Sequence, residues 1–84
     1  FEIRNKLGMH ARAAAVFVQL ANDFNCEIRV SKGGVEVNGK SIMGVLQLAA
    51  VKGDTIEIVA SGEDCQKALT ALDKLIGDYF GEEE

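Results

Sequence analysis

His10, the one histidine of the chain, follows a loop containing Gly8 and stands where a helical pattern begins, with Arg12 two residues on. The first backbone N–H groups of a helix have no partner inside it, and they lie at the positive end of the helix dipole. They suit an anion such as phosphate. The same positive end disfavours a further positive charge on the imidazole, which favours a neutral, nucleophilic ring. Arg12 adds a guanidinium able to hold phosphoryl oxygens through charge-assisted hydrogen bonds. A neutral imidazole nitrogen can attack phosphorus to give a phosphoramidate, which then passes to another nucleophile. Against this stands the plainer reading of His10 as a solvated or capping histidine, because one His-x-Arg is a weak motif. Ser41 also precedes a helical run, Ile42-Met43-Gly44-Val45-Leu46. Its first reading is a helix cap. Its second is a phosphorylation site, where the helix end would stabilise a dianion.

The elements that must position these residues follow from periodicity. Phe1–Asn5 alternates, with Phe1 and Ile3 on one face, and predicts a half-buried strand. Asn5–Met9 is a loop. From His10 to about Asn22, Ala14, Phe17, Val18 and Ala21 form the apolar stripe of a helix. Cys26–Ser31 alternates again, Ser31-Lys32-Gly33-Gly34 signals a hairpin turn, and Val35 and Val37 continue on the return strand. Ser41 caps a short helix running to about Leu48. Lys52-Gly53-Asp54 turns into a strand over Thr55–Ala60, and Asp64–Tyr79 is a long amphipathic helix. The order β-α-β-β-α-β-α predicts an α+β domain of two layers, with four strands and three helices on one face. The outer sheet face would carry Glu2, Arg4, Glu27, Arg29, Glu36 and Glu57. Periodicity leaves the strand order open; a ferredoxin-like arrangement would use the same first six elements.

The 84 residues make one domain, 1–84. The net charge is −4, and Glu82, Glu83 and Glu84 contribute most of it. A nearly neutral body argues against nucleic acid or an anionic membrane as partner, since both need clustered Lys and Arg. Cys26 and Cys65 are too few and too far apart for a metal site or a disulfide scaffold, and read as small core thiols. No apolar run is long enough to span a bilayer and no signal peptide is visible, so a cytoplasmic protein is expected. A chain that opens on Phe1 rather than Met is expected to be preceded by a few residues. Apolar residues exceed what the core stripes need. Val45 and Leu48 suit the core, which leaves Ile42, Met43 and Leu46 shared with the surface, while Ala13, Val16 and Leu20 lie off the stripe of the first helix. Such residues beside a reactive polar group mark a docking surface, or a small domain unable to hide every Val and Leu.

Asn5-Lys6-Leu7-Gly8-Met9-His10-Ala11-Arg12 resembles the active-site signature of the histidine-containing phosphocarrier proteins, HPr, of the bacterial phosphotransferase system. Lys40-Ser41-Ile42-Met43-Gly44-Val45 resembles the family's regulatory serine signature. The two signatures have the family's separation, and the resemblance covers the whole chain. It implies an open-faced β-sandwich with a four-stranded antiparallel sheet. It implies a carrier rather than an enzyme, needing no cofactor or metal and acting as a monomer. His10 would accept the phosphoryl group through Nδ1, Arg12 would assist transfer, and Ser41 would be modified by an ATP-dependent kinase. Ala11, Ala15, Ile42, Met43, Leu46 and Gln47 would fall on the surface that docks Enzyme I and the sugar-specific Enzyme IIA proteins. An HPr kinase/phosphorylase and a transcriptional regulator would be further partners. One departure stands out: the family usually has proline after the arginine, where this chain has Ala13. Ala13 regains a backbone N–H and gives up a fixed φ. A small shift in stability or phosphohistidine lifetime is expected from it.

Three other readings compete. A nitrogen-related phosphotransferase paralogue with a mainly regulatory role shares Gly-Met-His-Ala-Arg, but the intact Ser41-Ile42-Met43-Gly44 run favours the HPr type. A purely regulatory partner acting through Ser41 would lack the active-site histidine. An acylphosphatase-like hydrolase would need a phosphate-cradling glycine-rich loop before a helix, and the sequence has none of that type.

Overall fold

The computed structural model describes residues 1–83; Glu84 of the acidic run lies outside the described residues. The elements are α1 (Ala11–Ala21), β1 (Cys26–Lys32), β2 (Val35–Asn38), α2 (Ile42–Gln47), β3 (Glu57–Gly62) and α3 (Cys65–Gly77), followed by a 3₁₀ turn at Tyr79–Gly81. The sheet is antiparallel in the order β2-β1-β3, with Val30 opposite both Val37 and Ile58. Along β1, Cys26, Ile28 and Val30 point into the core while Glu27 and Arg29 face water, as the alternation requires. The helices cover the inner face. Phe17 of α1, Val45 of α2 and Leu72 of α3 are fully buried against Ile28, Val30 and Ile56. Cys26 is buried, Cys65 half-buried, and both are free thiols.

The sheet has three strands, not the four expected. Phe1–Asn5 does run beside the chain leading into β3, and Ile3 is buried as its alternation demands. Its pairing reduces to a single bridge between Glu2 and Thr55. Beside the bridge, the Phe1 amine donates to the Ile56 carbonyl (2.9 Å), Ile56 N–H to the Phe1 carbonyl (2.8 Å) and Ile3 N–H to the Asp54 carbonyl (2.9 Å). The cause lies in the partner. Val51–Asp54 closes into a turn through Asp54 N–H on the Val51 carbonyl (2.9 Å) and Val51 N–H on Asp54 Oδ2 (2.9 Å). With the Asp54 N–H used in the turn, the Ile3 carbonyl takes the Gly53 N–H instead (2.8 Å), so the register slips by one residue and no regular ladder continues.

Two further corrections concern helices. Ala13, read as lying off the core stripe, is fully buried, while Val16 and Leu20 are half-buried. α3 ends at Gly77, before the expected Tyr79, although the apolar stripe continues. Tyr79 and Phe80 take left-handed φ values of +60° and +54°, which an α-helix cannot hold. Burial of the Phe80 ring against the core opposes the cost of that conformation. The turn then sends Glu82 back towards the start of α1.

Candidate functional site

His10 is the N-cap of α1, with extended backbone (φ −81°, ψ −179°). Its Nδ1 accepts the backbone N–H of Arg12 at 3.3 Å, so this nitrogen faces the free amides of the helix start. The loop before it is held on both sides. Met9 N–H donates to the Ala50 carbonyl (2.8 Å), and Gly8 N–H donates to the Asn5 carbonyl (3.1 Å). Gly8 has φ +68°, and a Cβ there would lie 2.6 Å from the Ala50 oxygen. Only glycine allows the loop to approach the chain leaving α2 this closely.

That chain is itself tied down. Lys32 Nζ at the end of β1 donates to the Leu48 (3.2 Å) and Ala49 (3.3 Å) carbonyls and pairs with Asp54 Oδ2 (2.9 Å). A cation at a helix C-terminus suits the exposed carbonyls and the dipole. The Val51 N–H, and then Lys32, hold the Asp54 carboxyl below its ordinary value of 3.8.

Two residues that sequence reasoning missed complete the site. Asn5 is fully buried. Its Nδ2 donates to the Gly8 carbonyl (2.7 Å) and to Glu82 Oε1 (2.9 Å). Both partners are acceptors, so the amide nitrogen must face them. Asn5 Oδ1 is left buried with no partner. The other Glu82 oxygen, Oε2, meets Nε2 of His10. Burial, the largest single influence on the Glu82 carboxyl, pushes it up. The hydrogen bonds from Asn5 and His10 and the charges of His10 and Arg12 outweigh that, leaving it below its ordinary value of 4.5. Lys6, Leu7, Ala11, Arg12 and Glu83 line an open groove with His10 and Glu82. The sequence signal for Asn5 was a polar residue at the inward end of an alternating segment; for Glu82 there was only an acidic run.

The other expected site residues lie as follows. Ser41 is the N-cap of α2, its Oγ accepting Gly44 N–H at 3.1 Å. Ile42 and Met43 are 43% and 71% exposed, Ala11 and Gln47 are exposed, and Ala15 and Leu46 are half-buried. Leu7 (68%) and Val51 (58%) add exposed apolar surface that the sequence reading did not assign. They flank the contact between Gly8 and Ala50. No group of His, Cys, Asp and Glu among the described residues could hold a metal ion. No helix among them is long and apolar enough to cross a membrane.

Residues 1–78 match the family model described as the PTS HPr component phosphorylation site. The chain is 53% identical over 83 residues to the phosphocarrier protein HPr of Neisseria meningitidis serogroup A, covering 99% of this chain and 93% of that one. It is 49% identical over 82 residues to the phosphocarrier protein HPr of Cupriavidus necator, covering 98% and 92%. Among solved structures, HPr of Thermoanaerobacter tengcongensis is 46% identical with a TM-score of 0.96, covering 100% of this chain and 94% of that one. With a match of this length and identity, the chain belongs to the HPr family of phosphocarrier components of the phosphotransferase system.

Proposed function

We propose that the chain accepts a phosphoryl group from Enzyme I on Nδ1 of His10 and passes it to Enzyme IIA proteins. The observation that carries this reading is the cap. Nδ1 is turned towards the start of α1, where Arg12 N–H reaches it, so a phosphoryl group on that nitrogen would meet the free amides of the helix. The Nδ1 lone pair forms the N–P bond as the bond from phosphorus to the donor's leaving atom breaks, its electron pair departing with the donor. Arg12 would neutralise charge on the equatorial oxygens during transfer. Asn5, His10, Arg12 and Glu82 come from one chain, so a monomer contains the whole site. The exposed Ile42 and Met43, with Ala11, Ala15, Leu46 and Gln47, form the docking surface for both partners. Ser41 at its edge is the substrate of an HPr kinase/phosphorylase, and its phosphorylated form is what a transcriptional regulator would read. Such a relay operates in the cytoplasm.

Incubation with phosphoenolpyruvate and Enzyme I, followed by intact-mass analysis, tests the central step. One acid-labile phosphoryl adduct is expected, and it should be absent from His10→Ala. An acid-stable adduct, or one that survives His10→Ala, would overturn the reading.

A further inference from the structure

The imidazole of His10 is held at both nitrogens, and the two contacts demand the same proton placement. Nδ1 takes a hydrogen bond from the Arg12 backbone N–H at 3.3 Å, so it must present a lone pair. Nε2 faces Glu82 Oε2, and an ionised carboxylate can only accept, so Nε2 must carry the proton. Glu82 is in turn fixed by the buried Asn5, whose Nδ2 donates to Oε1 at 2.9 Å. Asn5 makes this bond while its own Oδ1 stays buried and unpartnered, an arrangement that costs free energy without some return. The arrangement joins residues 72 and 77 positions apart. It depends on the left-handed turn at Tyr79–Phe80, which redirects the chain after α3.

We propose that Glu82 is a positioning residue for phosphoryl transfer: by holding the Nε2 proton of His10 it keeps Nδ1 as the attacking nitrogen and orients the ring. This rests on the phosphocarrier reading above and adds a residue to it. When the N–P bond forms, Nε2 keeps its proton and the ring gains positive charge. The Glu82 carboxylate lies across the ring from the incoming group, so it stabilises that cation from the side opposite Nδ1, where the anionic phosphoryl group arrives. A carboxylate on the Nδ1 side would repel the phosphoryl group.

Proton NMR of the ring, on the unmodified protein at about pH 8 where a free imidazole is neutral, gives a readout that needs no partner. A downfield Nε2–H resonance, protected from exchange, is expected in the wild type. It should vanish in Glu82→Ala and move upfield in Glu82→Gln, which keeps the shape and loses the charge. In the Enzyme I reaction Glu82→Ala should lower kcat roughly tenfold with KM changed less than about twofold. Glu82→Gln should fall between, and melting curves of both variants should report a folded domain. A kcat unchanged in both variants overturns the proposal, as does an Nε2–H signal indifferent to Glu82. A change confined to KM also overturns it, since that would make Glu82 a docking residue. If the wild type accepts no phosphoryl group from Enzyme I, the phosphocarrier reading itself fails, and the NMR arm still reports whether Glu82 holds the ring.

Discussion

The starts of α1 and α2 solve the same local problem and are furnished differently. Each leaves backbone amides without partners, and each is capped by a side chain, His10 through Nδ1 at 3.3 Å and Ser41 through Oγ at 3.1 Å. His10 is gripped at its other nitrogen by Glu82, with Arg12 adjacent and the buried Asn5 behind. Ser41 is followed by the exposed Ile42 and Met43, with no acidic or basic residue in the first turn and no basic one in the last. A group at the first start is surrounded by charge that can follow a developing phosphoryl anion. A group at the second meets the dipole of a six-residue helix and an apolar patch. On the proposed reading, the difference separates chemistry from recognition: the first helix start would pass a phosphate on, and a phosphate at the second would change what can dock.

Breaking the second start should therefore disturb binding most. Ser41→Asp puts a fixed charge at the edge of the apolar patch, where it must be desolvated on docking. It should raise the KM for this protein in the Enzyme I reaction by roughly a hundredfold, about 2.8 kcal/mol, with a much smaller change in maximal rate. The circular-dichroism spectrum and melting point should stay near wild type, because the helix dipole tolerates the charge. Met43→Asp should do the same without touching the serine. If Ser41→Asp unfolds the domain and leaves KM alone, Ser41 is a cap and nothing more.

At the first start, Arg12→Ala should slow transfer by roughly tenfold, about 1.4 kcal/mol on the barrier, with little effect on KM. Arg12 is exposed and its removal should barely move the melting point. Transfer kinetics indistinguishable from wild type would remove its guanidinium from the site and narrow the contrast between the two starts to His10 and Glu82.

The smallest expected effect is on acid stability. The Glu82 carboxyl lies below its ordinary value of 4.5 in the folded protein, facing Asn5, His10 and Arg12. A lowered carboxyl stabilises the fold above its unfolded value, and that contribution is lost as pH falls through the folded one. Asp54, held below 3.8, adds a loss of the same sign. The melting point should therefore fall as pH drops below about 4.5, and Glu82→Gln should make that fall shallower. A profile identical to wild type would mean the tail contact contributes nothing to folding.

The legible parts of the site were those encoded within a few residues. His10, Arg12 and Ser41 sit at helix starts that period and flanking glycine mark locally, and His10 and Ser41 do cap helices. The inward face of β1 was equally readable, because alternation fixes which side chains are buried. The first segment was misread although its alternation was right, since whether a strand joins a sheet depends on its partner, here a turn. Asn5 and Glu82 escaped because their meaning lies in a contact across 77 positions. The stripe of α3 ran past the true end of the helix, because Tyr79 and Phe80 remain apolar while their backbone turns left-handed.

The contact at Gly8 has a consequence for what approaches the domain. Its hydrogen atom faces the Ala50 oxygen with no room for a methyl group, and the neighbouring Met9 amide is bonded to that same oxygen. The segment bearing His10 thus has little freedom to settle differently against different molecules. A shape that does not yield spends no conformational entropy on each encounter, which suits brief, repeated visits. The same stiffness transfers the burden of fitting to the visitors. A donor and an acceptor with unrelated folds would each have to mould a surface to this one relief, so changes around Gly8 should be felt by every partner at once, whereas changes in a partner concern that partner alone.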